Sequence, residues 1–423
     1  MAGMKALYFE NTLWKVAALK VAERFNRHAA LGPLSPLRYA DIPEPPLPNE
    51  RWLKVYNRAC GLCGTDIHLM FMDIAPGSYS AALPGIARKF LGHELVGEVV
   101  EAGSDAGYFS AGDRVAMRID WPSCNQMEIS PPCAACAAGQ YMQCENLGLG
   151  SLPIQDTGGG FSPCMIMHRS QPYRIPDALD DDAALLLEPL ACAAHGVLKA
   201  LPASGQRVLV IGGGTLGLMT AAASRALAPD APVWCLTRYA FQADVARKLG
   251  AEIIEDGAGV YERIARAGNA RHVRGMMGNE ILLGGFDVVY DTVGSDSSLH
   301  NALRWTKAGG RLVLIGINFK PGRMDYSPLW AREITATGIN CHGIESDGRH
   351  SFDIAAELLQ RKCVYPDDII THRFPVSRYR DAVKAFLNKR ESKAIKIVLM
   401  HEPLQRRATS GIGAAKPLRM PHE

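Results

Sequence analysis

The feature that most restricts what this chain can fold into is a turn of glycines at residues 212–217. The apolar run Val208-Leu209-Val210-Ile211 leads into Gly212-Gly213-Gly214-Thr215-Leu216-Gly217, and Leu218–Leu227 then carries helix-forming residues. Consecutive aliphatic residues suit a strand buried on both faces, as in a parallel sheet. A glycine cluster alone is a weak signal. Between a strand and a helix it is a strong one, because the glycines permit a tight turn and let a pyrophosphate approach the helix N-terminus. Val233–Thr237 follows as the second strand of a βαβ unit, and Phe286–Asp291 and Arg311–Gly316 add two further apolar runs. Alternating strands and helices predict a doubly wound α/β sheet over residues 191–341. Its nucleotide would lie against Gly212, Gly214, Thr215, Leu216 and Gly217.

The end of the second strand bears on the choice of dinucleotide. An acid there would bind a ribose 2′-hydroxyl, but this chain has Thr237 followed by Arg238. Thr can donate a hydrogen bond, and Arg can fork onto a 2′-phosphate that a carboxylate would repel. The expectation is NADP(H) over NAD(H) by at least about tenfold in catalytic efficiency. The alternative is an Arg238 that points into solvent, with both cofactors accepted.

A second constellation lies upstream, where Gly61-Leu62-Cys63-Gly64-Thr65-Asp66-Ile67-His68 is followed by Gly92-His93-Glu94. Cys, His and Glu are zinc ligands, and flanking glycines let two sharp turns bring thiolate and imidazole to one ion. Isolated ligands on separate loops suit a site with an open coordination position, whereas structural sites favour paired cysteines. Taken singly, Cys63 also reads as a buried thiol and His93 as a core histidine. Cys133-Ala134-Ala135-Cys136, with Cys144 beyond it, reads as another metal cluster.

These residues, with Gly112-Asp113-Arg114-Val115 after them, resemble the zinc-dependent medium-chain alcohol and polyol dehydrogenases in order, spacing and type. The resemblance covers nearly the whole chain. It implies a catalytic domain built on a partly open, GroES-like β-barrel beside a Rossmann domain. It also implies zinc bound by Cys63, His93 and a glutamate, lowering the pKa of an alcohol, with Thr65 and His68 passing the proton to solvent. Asp66 is then a partner for His93. Leu187-Glu188-Pro189-Leu190 matches the polyol-, glucose- and threonine-dehydrogenase branch, where liver-type enzymes have a cysteine ligand, so Glu94 and Glu188 are both candidates for the third ligand. Cys133, Cys136 and Cys144 match the family's structural-zinc lobe. Its first cysteine would fall at Ser130, and Cys124 is the nearest substitute. Four cysteines and two zinc ions per chain are expected; a lobe without metal, or three cysteines with another ligand, are the alternatives. Lys396 resembles the family's basic residue near the cofactor phosphate, and is otherwise an edge-strand lysine.

The chain has 423 residues, enough for two substantial cores. The expected division is a catalytic part at 1–190, the nucleotide fold at 191–341, a catalytic return at 342–402 and a disordered tail at 403–423. A basic amphipathic stretch, Leu13 to His28, follows the first strand Met4–Phe9 and reads as a lid or packing insertion rather than a targeting helix. Gly268–Glu280 reads as an inserted loop without evident chemistry. A net charge of +3 without a basic, aromatic-laced stripe gives no support to nucleic-acid binding. No run approaches the roughly 18 apolar residues of a membrane helix. The reading is a cytoplasmic enzyme, a homodimer or homotetramer, acting on a small-molecule alcohol or carbonyl. A non-catalytic nucleotide-binding regulator leaves Cys63, Thr65, His68 and His93 unexplained, and zinc-free quinone- or enoyl-reductase relatives generally lack the Cys63–His93 pair.

Overall fold

The computed structural model describes residues 3–402 apart from 11, 27, 34, 76, 83–87, 119–121, 148–151, 155 and 321. The expected tail, 403–423, therefore lies outside the described residues. A six-stranded, wholly parallel sheet runs in the spatial order Glu252–Glu255, Val233–Thr237, Val208–Ile211, Phe286–Asp291, Thr306–Leu314, Thr335–Gly338. Numbered along the chain, that order is 3-2-1-4-5-6, the Rossmann arrangement. The aliphatic run that predicts the first of these strands is buried on both sides for a visible reason. Val208 and Val210 enter a core shared with helices Leu187–Lys199 and Thr215–Leu227, while Leu209 and Ile211 enter the opposite core with Tyr261, Ile264 and Trp305. The strand order reverses beside Val208–Ile211, so a crevice opens beyond its C-terminal end, where Gly212 begins.

The second body is a seven-stranded sheet drawn from both ends of the chain. Ile370–Pro375 and Lys396–Met400 continue into Trp52–Leu62, Glu94–Ala102, Arg114–Met117 and Pro172–Arg174, with Cys164–His168 also paired to Trp52–Leu62. Lys396–Met400 has a neighbour on each side, so Lys396 is not on an edge strand. Gly3–Glu10 is the centre of a separate three-stranded sheet, between Leu37–Pro43 and Arg88–Phe90.

Helix Leu187–Lys199 joins the two bodies. Leu187 through Val197 are all buried, as expected of a helix that is apolar all round. The core it enters holds Ala59 and Val96 of the seven-stranded sheet as well as Val208 of the parallel one.

Two segments without assigned chemistry take definite forms. The N-terminal insertion forms helix Leu13–Ala22, anchored by buried Leu19 and by Lys20 Nζ donating to Phe71 O at 3.1 Å. None of its described residues lines the cleft described below. The stretch read as an inserted loop is mostly an antiparallel hairpin, Arg271–Arg274 with Glu280–Leu283, with Met276 and Met277 exposed at its tip.

Candidate active site

Strand Trp52–Leu62 delivers Cys63 to the N-cap of helix Gly64–Met70, and His93 directly precedes strand Glu94–Ala102. Gly92 has φ 86°, and a Cβ there would sit 2.9 Å from Cys60 Sγ, so glycine is required immediately before His93. One buried carboxylate staples the two ligand loops. Asp66, 1% exposed, accepts the Cys63 N–H at 3.0 Å through Oδ2 and the Gly92 N–H at 3.0 Å through Oδ1. The same Oδ1 lies 3.8 Å from His93 Nδ1. The ligand atoms of Cys63, His93 and Glu94 then lie within 4.8 Å of one another. Burial opposes ionisation of Cys63 and His93, but their mutual attraction outweighs it. The thiol is held below its ordinary value, and the imidazole, with Asp66 adding to the effect, well above. A thiolate and an imidazole holding a proton between them are the donors a zinc ion takes in its place, and the set fits that metal.

Glu94 has a further partner. Its carboxylate is paired with Lys396 Nζ, and a Cβ at Gly61 would overlap both side chains. Lys396, expected by resemblance near the cofactor phosphate, lines the cleft with its ammonium paired to Glu94. Glu188 is the other carboxylate expected near the zinc. It lines the cleft, yet its carboxylate groups with Cys192 and Cys341 rather than with Cys63, His93 and Glu94. Thr65 Oγ1 is 3.7 Å from Cys63 Sγ. His68 lies in the wall of the cleft, its Nδ1 3.2 Å from Asp73 Oδ2 and its ring edge-on to Phe319.

Cys124, Cys133, Cys136 and Cys144 form a compact group with Sγ atoms within 4.8 Å, and Ser130 is not part of it. Cys124 and Cys144 Sγ are 3.7 Å apart, close to the roughly 3.8 Å edge of a tetrahedron with Zn–S bonds of about 2.3 Å. The amides of Cys136 and Glu145 donate to Cys133 Sγ at 3.5 and 3.4 Å. They bring that thiol down to about 6, the Cys136 amide contributing most. The group fits a structural zinc, and Cys124 stands within it where the spacing left the fourth ligand open. The lobe reaches the cleft wall through Asn340 Nδ2, which donates to Met142 O at 2.6 Å.

From Cys63, His93 and Glu94 a cleft of about 670 Å³ crosses the glycine turn to Arg238. Gly212 has φ 112°, and a Cβ on Gly217 would overlap Gly212 O, so the helix starts hard against the turn. Gly214 faces open space, where a phosphate can approach. Leu216 lines the cleft, and Thr215 Oγ1 is used to bond Ile395 O at 2.9 Å, tying the helix to the catalytic body. Thr237 departs from its expected place. It is 2% exposed with its methyl tucked under Gly213, and it does not line the cleft. Arg238 does, pairing with Asp256 Oδ2 at 3.4 Å. Sequence reasoning missed Asp256. The register Thr237↔Glu255 puts Asp256 beside Arg238, so locating the third strand would have revealed it. Cys192, Cys341 and Asp73 carried no motif and were missed as well.

Among known families, residues 49–177 match the alcohol dehydrogenase GroES-like domain and residues 215–361 the zinc-binding dehydrogenase domain. L-idonate 5-dehydrogenase of Vitis vinifera is 29% identical over 353 residues, 82% of this chain and 87% of that one. Sorbitol dehydrogenase of Ovis aries is 27% identical over 363 residues, 86% of this chain and 93% of its own. A zinc-binding dehydrogenase of Sinorhizobium meliloti 1021, solved with NADP, aligns over 95% of this chain and 100% of its own, at 25% identity and a TM-score of 0.69. Fold and site together define an oxidoreductase with a GroES-like catalytic domain and a Rossmann domain. Within that class, the chain belongs to the zinc-dependent medium-chain alcohol and polyol dehydrogenase family. Among the described residues, no helix is long and apolar enough to cross a membrane.

Proposed function

We propose that the chain interconverts a secondary alcohol of the polyol or sugar type and its carbonyl with NADP(H), using zinc held by Cys63, His93 and Glu94, while a second zinc clamps the cysteine lobe. The observation that carries this reading is the position of the Cys63–His93–Glu94 donor set, at one end of the cleft whose floor is the glycine turn. Zinc there supplies Lewis acidity that brings an alcohol hydroxyl toward ionisation near neutral pH, and the nicotinamide supplies the hydride acceptor.

The chain's own residues do the positioning and the proton transfer. Asp66 fixes both ligand loops, and Lys396 keeps the Glu94 carboxylate compensated where water is scarce. Thr65, in the first turn of its helix, is the hydroxyl placed to take the substrate proton. His68, beside Asp73 and a third exposed, carries it outward. The polyol class is supported by relatives named for L-idonate, sorbitol and D-arabinitol. NADP is supported by Arg238 in the cleft wall and by the absence of an acid at Thr237; Asp256 moderates that preference because it already pairs with Arg238.

A panel of polyols, sugar acids, hydroxy-amino acids and simple alcohols, each assayed with both cofactors, tests the substrate class. Highest catalytic efficiency with a vicinal polyol is the expected result. Turnover confined to simple primary alcohols would overturn it.

A further inference from the structure

Glu188, Cys192 and Cys341 meet in the cleft outside both zinc ligand sets. Glu188 and Cys192 are one turn apart on helix Leu187–Lys199 and share a face. Cys192 Sγ donates to Glu188 Oε1 at 3.2 Å. Cys341 comes from the segment after strand Thr335–Gly338 with φ 59°, a left-handed conformation uncommon for a residue with a side chain. Its thiol lies within 4.8 Å of the Cys192 thiol. Glu188 and Cys192 are each 8% exposed, all three residues line the cleft, and their ligand atoms lie within 4.8 Å of one another. The neighbouring Asn340 is braced by Met142 of the cysteine lobe.

Two thiols, which are soft donors, and one carboxylate at this spacing make a ligand set that zinc-type ions accept. A tetrahedral ion with Zn–S near 2.3 Å and Zn–O near 2.0 Å sets sulfur and oxygen about 3.5 Å apart, close to the observed Cys192–Glu188 contact. We propose that Glu188, Cys192 and Cys341 form a third metal site, for a thiophilic divalent cation, and that its occupation blocks the substrate end of the cleft. Binding exchanges two thiol protons for one cation: M²⁺ and two S–H groups give two metal–thiolate bonds and two released H⁺, while the Glu188 carboxylate adds the third ligand. Glu188, Cys192 and Cys341 line the same cleft as Cys63 and His93, so an ion here crowds the space an alcohol would use.

Cadmium titration of the zinc-loaded full-length chain, with thiols reduced, tests the site. Sulfur-to-cadmium ultraviolet absorption, proton release, retained zinc and turnover are read together. The expected result is one added equivalent, two protons released, no zinc displaced, and loss of turnover that a chelator reverses. Cys63→Ser should keep the added absorption although inactive, which separates this site from the proposed catalytic one. In the Cys192→Ser/Cys341→Ser double variant the absorption should vanish and whatever turnover remains should ignore cadmium. Cys341→Ala, at the more exposed ligand, serves if the double variant does not fold. No added equivalent, or an equivalent that persists without these thiols, overturns the proposal. So does loss of the two thiols to peroxide without cation binding, which would make them a disulfide-forming pair.

Discussion

Replacing Lys396 with methionine isolates the ion pair at the metal end of the cleft. The side chains of Lys396 and Glu94 are 2% and 3% exposed, and their strands flank Trp52–Leu62 on opposite sides. Methionine keeps most of the apolar stem and deletes the ammonium, so the change is mainly electrostatic. Breaking one side of a buried pair costs about 3–5 kcal/mol, because the remaining charge has no compensation. The metal-free protein should bear that cost in full. In the zinc-loaded protein the cation offers Glu94 another partner, and the loss should be small. Linkage converts the difference into affinity: relief of roughly 3 kcal/mol on loading tightens zinc by about two powers of ten. Turnover should fall, because a Glu94 carboxylate that no longer shares its charge with Lys396 donates more strongly to the zinc and weakens its pull on an alcohol. Urea unfolding of both forms, with zinc competition against a chelator, measures both quantities. Equal destabilisation of the two forms with unchanged zinc affinity would refute the reasoning.

Burial foremost, with Arg169 nearby, pushes His168 down to about 4 from its ordinary 6.5. The fold therefore favours neutral His168, whose contribution is complete above about pH 6.5 and is lost as pH falls toward 4, roughly 3 kcal/mol in all; His168→Gln should flatten that part of a stability-versus-pH curve from urea unfolding, and an unchanged slope would contradict it. In the zinc-free cysteine lobe, alkylation mapped by mass spectrometry should modify Cys133 first, rising through about pH 6, while burial keeps the Cys136 thiol up and slow; zinc should protect all four cysteines, and equal reactivity at Cys133 and Cys136 would count against this. The unmodified protein should prefer NADP(H) by at least about tenfold in kcat/KM, about 1.4 kcal/mol, and Arg238→Ala should erase most of that without changing zinc content. The exposed Arg238–Asp256 pair should cost little to exchange for a phosphate, and equal efficiency with both cofactors would show that Arg238 does not select.

Much of this was legible because local chemistry and local geometry coincide. An aliphatic run ending in glycines must be a buried strand meeting a helix, and Gly212 and Gly217 occupy positions that exclude a side chain. Cys63 and His93 stand out because zinc needs their donor types and both loops need glycine. What escaped depends on register between distant segments. The pairing of Lys396 with Glu94 depends on the sheet that sets Gly61 and Glu94 beside it, far away in the chain. The meeting of Glu188 with Cys192 and Cys341 depends on its helix and on a segment that arrives from beyond the sixth parallel strand. Thr237 points under the glycine turn because its strand ends there, a choice of face that no spacing rule fixes. Cys124 required the lobe's three-dimensional closure, since its separation from Cys133 departs from the usual pattern.

Metal content measured alongside turnover on the unmodified chain, Cys63→Ser and Cys136→Ser tests the central claim most directly. The unmodified chain should carry two zinc ions. Cys63→Ser should keep the lobe's zinc, still bind NADP(H) in the cleft, and lose hydride transfer on every alcohol tested. Cys136→Ser should lose the other zinc and destabilise the lobe, while protein that remains folded keeps measurable turnover. Full turnover by a Cys63→Ser protein that has lost its second zinc would contradict the account.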